Sequence, residues 1–274
     1  MTAHLITYAD KVFHLAVWLV LLMVIFVPLE RLFTLHPAKL WRAQTGVDLA
    51  WYFINSIVPA AIIAVPLAML AQLLAKFNPL GLYAAVLTWP LWIKLLAAFV
   101  VNDIGAYWYH RLAHSNAWLW RFHAVHHSAE HVDWLTNTRD HPVDMVFTRM
   151  SGLIPVYLLG LGQATPGGMT DTAAIISVVG IFWSFMIHAN VWFRFGPLEW
   201  LISTPAFHHW HHSNDEHRDR NFAAIFPVID RVFGTLYLPR TYPTVYGIDA
   251  AMSPSLTGQL LDPLAGPLPV VKPA

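Results

Sequence analysis

Three groups of histidines carry the chemistry of this chain. His110 and His114 stand four residues apart. His123, His126 and His127 form H-x-x-H-H, and His208, His211 and His212 repeat that spacing further along. Residues four apart on a helix lie one turn apart on one face, so His110 and His114 can aim both imidazoles at one point. In H-x-x-H-H the outer pair is i and i+4 and the middle ring is i+3. Three rings then leave one helix on a narrow arc and can serve two adjacent metals. A zinc-type site needs three or four ligands, and eight histidines are too many for one ion. All-nitrogen ligation suits iron, zinc, copper or nickel.

Packing or an interfacial position is the competing explanation, and it fits the isolated His4, His14 and His36 better than a ligand role does. His131 and His217 read as solvated surface residues. His209 lies off the i, i+3, i+4 pattern and is expected not to ligate. His188 and His141 each fall at the end of a predicted span and are candidates to complete a metal's shell. Asp103 and Tyr107 sit at i−7 and i−3 from His110, on or near its stripe. An Asp there is expected to accept the outer ring N–H of a ligating histidine, which fixes the tautomer and raises basicity. There is no H-E-x-x-H, the zincin protease signature, and no Glu-x-x-His pair of the soluble di-iron bundles.

Composition says what must position these rings. The chain has 274 residues, 57% apolar and only 12% charged, with a mean hydropathy of +0.49. Soluble domains carry roughly 25% charged residues, so most of this surface is expected to face lipid. The 13 Trp and 9 Tyr suit interfacial aromatic belts. No basic patch interleaved with aromatics points to nucleic acid. The absence of Cys excludes disulfides, thiolate sites and cysteine nucleophiles. Histidine, the commonest transition-metal ligand, occurs 16 times, as often as Lys and Arg together.

The spacing predicts an all-α, multi-span transmembrane bundle with a histidine-rich helical cap that holds a dimetal site. About 20 apolar residues span a bilayer. Five spans are predicted: Val12 to Phe33, Leu49 to Leu74, Leu82 to Val101, Val143 to Gly162 and Thr172 to Val191. The first reads as a retained helix rather than a signal peptide, since no A-x-A-like site follows it. Pro59 and Pro66 make the second either a kinked span or a re-entrant hairpin. Asn78-Pro79-Leu80-Gly81 reads as a turn and Gln163 to Asp171 as a loop. The third span runs straight into Asp103, Tyr107, His110 and His114. With the N-terminus outside, Arg31, Lys39, Arg42, the four Arg from 111 to 149 and all six basic residues from Arg194 to Lys272 share one side. Lys11 and Lys76 take the other, and Lys94 lies within a span. The positive-inside rule makes the populated, histidine-bearing face cytoplasmic.

These motifs resemble the fatty acid hydroxylase/sterol desaturase superfamily of integral-membrane di-iron enzymes over roughly Asn102 to Thr235. The resemblance rests on D-x-x-x-Y-x-x-H-R-x-x-H at Asp103 to His114, W-x-x-H-x-x-H-H-S at Trp120 to Ser128 and R-x-H-P at Arg139 to Pro142. It continues with H-x-N at His188 to Asn190, G-P-L-E at Gly196 to Glu199, and T-P-x-x-H-x-W-H-H-S at Thr204 to Ser213. Asn221-Phe222 and D-R-x-F-G-T at Asp230 to Thr235 complete it. Asp144 stands where the family often has Glu, Ile229 where an aromatic is usual, and Ala223 where a Gly is. The resemblance implies two iron ions, molecular oxygen as co-substrate, and electrons from an external reductase or a haem or iron–sulfur carrier. No G-x-G-x-x-G nucleotide fingerprint occurs.

The implied reaction removes hydrogen from an unactivated C–H bond of a lipid (a sterol, fatty acyl chain or relative), giving hydroxylation or desaturation. Cleavage of an ether lipid by hydroxylation beside the ether oxygen is the alternative within the family, and a histidine-lined metal transporter is the rival outside it. The expected partners are a bilayer lipid, an electron-transfer protein and the membrane. Asp103, Tyr107, Asn190, Asn221 and Asp230 are expected to support the chemistry around the metals, with turn capping as the alternative for Asn221 and Asp230. Residues 1–101 are read as N-terminal spans and 102–240 as the catalytic unit, which includes a hairpin over about 145–191. Residues 241–274 are read as a soluble tail.

Overall fold

The computed structural model describes residues 2–77, 81–162 and 172–265. Most of the predicted turn at Asn78 to Gly81, the loop at Gln163 to Asp171 and the last nine residues lie outside them. The helices are α1 (Thr2–Leu32), α2 (Thr45–Phe77), α3 (Leu82–Leu87), α4 (Leu91–Ser115), α5 (Ala117–His127), α6 (Pro142–Leu158), α7 (Thr172–His188), α8 (Pro205–His211), α9 (Pro227–Val232) and α10 (Leu256–Ala265). Short 3₁₀ turns occupy Trp134–Thr138 and Gly196–Trp200. Among the described residues the protein is all-α, with only two isolated bridges, Thr34 to Val191 and Ser213 to Tyr246.

Among the described residues, three helical stretches are long and apolar enough to cross a membrane: Ala9–Leu32, Thr45–Leu74 and Leu91–Ser115. Only 11% of the most apolar window in each of the first two is buried within the protein. Such a surface is stable only against lipid, since exposed apolar area in water costs roughly 25 cal/mol per Å². Helices α6 and α7 have 17 residues each. At about 1.5 Å per residue each is shorter than the ~30 Å hydrocarbon core. Pro59 and Pro66 do not break α2, which runs through both. The third span differs from its predicted bounds. The chain breaks at Thr88 to Pro90, because the residue before a proline is pushed out of the α region, and Pro90 caps a new helix that extends unbroken to Ser115. That one helix therefore carries Asp103, Tyr107, His110 and His114.

Asn116 ends this run and begins the next. Its side chain accepts the backbone N–H groups of Trp118 and Leu119, an N-cap that turns the chain into α5. Helices α4 and α6 approach closely where Gly105 meets Ser151; a Cβ on Gly105 would lie 2.1 Å from the Ser151 carbonyl oxygen. The end of α1 packs Leu22 and Phe26 against Trp134, Leu135, Phe185, Ala189 and Val191. Glu30 fastens the same junction, accepting the backbone N–H groups of Trp134 at 2.8 Å and Asn190 at 2.9 Å. Residues 241–265 are bound into the fold: the Tyr246 hydroxyl meets His209 and Gln259 accepts the indole N–H of Trp51.

Candidate metal centre

Nine histidines converge in two adjacent groups. The first contains His110, His114, His123, His127 and His211, and the second His126, His188, His208 and His212; within each, the candidate ligand atoms lie within 4.8 Å of one another. The two H-x-x-H-H runs exchange their middle members. The first gives its i, i+4 pair, His123 and His127, to the first group and His126 to the second. The later run gives His208 and His212 to the second group and His211 to the first. Helix geometry forces the division, because i and i+4 stack on one face while i+3 points about 60° away. The rings of His127 and His212, one from each group, stack 4.6 Å apart between centroids.

The outer nitrogens decide what the inner ones can bind. His110 Nδ1 lies 2.7 Å from the Phe222 carbonyl and His123 Nδ1 3.0 Å from the Asp144 carboxylate. Each Nδ1 is therefore the donor, and a ring in its metal-binding, neutral form presents a bare lone pair on Nε2. Yet those two Nε2 atoms are 3.1 Å apart. The second group repeats the pattern. His126 Nδ1 donates to the Arg139 carbonyl at 2.9 Å and His188 Nδ1 to the Ser184 carbonyl at 2.7 Å, with the two Nε2 atoms 3.2 Å apart. Two lone pairs cannot hydrogen-bond each other, but nitrogens about 2.1 Å from one ion and near a right angle lie about 3 Å apart. His114 and His211 each bury an Nε2 with no hydrogen-bond partner, while their Nδ1 atoms meet Asp219 and the Arg220 carbonyl. Buried polar atoms are rarely left unpaired. The donor set fits metal ions.

Burial also favours the ligand form. It pushes the His126 imidazole down to about 4, with the neighbouring His123 ring adding to the effect. His127, His208, His211 and His212 are likewise held well below the usual histidine range, by burial first and then by neighbouring rings. Neutral imidazole is the form that coordinates.

The remaining sequence candidates sit around the groups rather than in them. Asp103 does not receive a histidine ring. Its carboxylate accepts the backbone N–H groups of Ala224, Ile225 and Phe226 at 2.8, 3.1 and 2.7 Å, because its stripe on α4 faces that loop. Tyr107 meets Thr235 Oγ1 at 2.9 Å. Asp230 accepts the N–H groups of Phe222 and Ala223 and the Thr235 hydroxyl. Asn221 stands at φ 60°, a left-handed conformation Asn tolerates. Its amide donates to the carbonyls of Phe207 and Tyr237 and its oxygen accepts the Tyr237 N–H. Together these residues fix the segment 219–226, which orients three rings of the first group: His114 through Asp219, His211 through Arg220 and His110 through Phe222.

Asn190 ties the chain after His188 to the end of α1, through His36. His141 lies outside both groups and caps α6, with Nδ1 accepting the Val143 N–H and Nε2 facing the Leu260 carbonyl. His209 is also outside, with both nitrogens engaged by Tyr246 and Ala189.

Several positioning residues escaped the sequence reading. Asp219 and Asp144 hold ring nitrogens, and Tyr109 donates to Asp144 at 2.5 Å. Asp48 and Asn55 on α2 are the others. Asp48 accepts the Arg139 guanidinium at 2.7 Å, and Asn55 donates to the carbonyls of Thr138 and Asp140. They thereby fix the Arg139 carbonyl that orients His126. The available signal was Asn55 inside an otherwise apolar span and Asp48 at its mouth, since buried polar residues at such positions are costly unless they have a task.

Residues 95–235, just over half of the chain, match the fatty acid hydroxylase family, and the chain belongs to that family. Ornithine lipid hydroxylase OlsE of Rhizobium tropici is 35% identical over 180 residues, 65% of this chain and 52% of that protein. Human alkylglycerol monooxygenase is 31% identical over 153 residues, 56% of this chain and 32% of that protein. A putative methylsterol monooxygenase of Dictyostelium discoideum is 25% identical over 243 residues, 84% of each. The chain thus spans about half of the hydroxylase and about a third of the alkylglycerol enzyme. No solved structure matches it.

Proposed function

We propose that this protein is a membrane di-iron oxygenase that hydroxylates an alkyl or acyl chain of a polar lipid. The observation that carries the reading is the pairing of inward-facing Nε2 lone pairs about 3 Å apart in both histidine groups. Two such lone pairs facing one point suit a shared cation. His110, His114, His123, His127 and His211 would hold one ion, and His126, His188, His208 and His212 the other. When bound, the ions supply oxygen activation and the one-electron chemistry needed to take hydrogen from an unactivated C–H bond. The chain's own contribution is to hold nine imidazoles at fixed angles, shield them from water, and leave coordination positions free for exogenous ligands. Electrons come from a separate carrier.

The names of the relatives favour hydroxylation over desaturation, since those above are a hydroxylase and two monooxygenases. The alkylglycerol monooxygenase similarity supports a second reading, hydroxylation next to an ether oxygen followed by collapse to an aldehyde and an alcohol. A metal transporter would line its spans with ionisable side chains; here the histidines gather at the end of α4 and in the cap. We place that cap on the cytoplasmic face of a multi-pass protein, on the basic-residue asymmetry, and assign residues 102–240 as the catalytic unit.

The test compares total lipid extracts of cells carrying the active protein and its His126→Ala variant by mass. Hydroxylation adds one oxygen to a lipid, and ether cleavage depletes an ether lipid and yields the shorter alcohol. Loss of two hydrogens would show desaturation instead. Identical extracts from cells whose wild-type protein is metal-loaded would count against the lipid assignment.

A further inference from the structure

We infer that the two histidine sites bind metal unequally: the His110 site is the tight, structural one, and the His126 site is labile and fills last. The inference rests on the dimetal reading above and goes beyond it by ranking the sites. Three observations support it independently.

The first is ligand number. Five rings converge on one site and four on the other, so an ion in the second keeps more positions for exchangeable ligands. The second observation is charge. His123 Nδ1 lies 3.0 Å from the Asp144 carboxylate and His114 Nδ1 3.0 Å from that of Asp219. A carboxylate behind an imidazole raises its basicity and offsets part of the ion's charge. At the second site the outer partners of His126 and His188 are neutral backbone carbonyls. The third is an unsupported ring, since Nδ1 of His208 is buried without a hydrogen-bond partner. Nothing therefore fixes that ring's tautomer from behind. Removal of one outer partner typically lowers metal affinity about 10–100-fold. Two carboxylates and an extra ring against an unsupported one give a difference of at least about 100-fold by the same measure.

The experiment uses the full chain, purified metal-loaded in detergent and dialysed against increasing EDTA, with metal per chain read by mass spectrometry. The expected curve falls from two ions to a plateau at one. His212→Ala retains one ion with wild-type resistance to the chelator, and His114→Ala loses the resistant ion. Asp219→Asn shortens the plateau about tenfold, and Asp219→Glu restores it. Asp219 is a quarter exposed, so its substitution perturbs folding little; Asp144→Asn, at a buried position, serves as the second variant. Release of both ions in a single step overturns the ranking, as does a resistant ion lost from His212→Ala but kept in His114→Ala. A metal-replete wild type with one ion or none before chelation overturns the dimetal reading itself.

Discussion

Asp230→Asn tests whether the segment 219–226 is the scaffold of the first metal site. Asp230 is fully buried. Its Oδ1 accepts the Phe222 N–H at 2.7 Å and the Thr235 hydroxyl at 2.6 Å, and its Oδ2 accepts the Ala223 N–H at 2.9 Å. An Asn in the same rotamer keeps one oxygen for Phe222 and Thr235 but turns its amide N–H toward that of Ala223. One charge-assisted bond, about 1.5–3 kcal/mol, is lost, and a buried N–H is stranded. A net cost of about 2–3 kcal/mol follows, within the roughly 5–15 kcal/mol that folded domains possess. The variant should fold, with an unfolding midpoint about 5–10 °C lower. Phe222 also carries the carbonyl that orients His110, so the metal at that site should bind about 10–100-fold more weakly. Thermal unfolding in detergent and metal per chain are the two assays. An unchanged midpoint together with unchanged metal content would refute the scaffold argument.

Acid should destabilise the metal-free protein in a defined window. His126 and His209 are held by burial at about 4 against 6.5 unfolded, so below pH 6.5 the unfolded chain binds protons that the folded one refuses. Stability is complete above pH 6.5 and is lost progressively as pH falls toward 4, as unfolding midpoints across that range will show; a flat profile would contradict the burial of these rings. Gly105→Ala should force α4 and α6 apart, because its Cβ meets Ser151 backbone at 2.1 Å. A cost of about 1–3 kcal/mol in unfolding measurements is expected. Tyr246→Phe removes the donor to His209 Nδ1 and should cost about 1 kcal/mol while leaving metal content unchanged, since His209 lies outside both groups.

The spacing of the histidines was legible in the sequence because helix geometry converts i, i+3, i+4 into directions without reference to the rest of the fold. That is why a pair of metal ions could be argued from the spacing alone, with His188 and His141 as candidates to complete a shell. His188 falls within one of the two histidine groups and His141 lies outside both. Both end predicted spans, and only the three-dimensional path of α7 against α8 separates them. Asp103 differs from expectation for a related reason: it lies on the expected stripe of α4, but what faces that stripe is a loop more than a hundred residues away in sequence. Asp219 has no local signature at all, since it reaches His114 from a polar loop. Helix boundaries followed local chemistry: the proline at 90 cut the third span, while prolines 59 and 66 did not cut the second.

If two histidine-bound ions use molecular oxygen to oxidise a lipid, an oxygen atom of that gas must end up in the product. Cells carrying the active protein, or its His126→Ala variant, grown under isotopically labelled oxygen and analysed by lipid mass spectrometry, test it most directly. One labelled oxygen atom is expected in a lipid class of the active cells and none in that class of the variant. Metal-loaded wild-type protein in cells whose lipids show no protein-dependent incorporation of label, or equal incorporation with the variant, would contradict it.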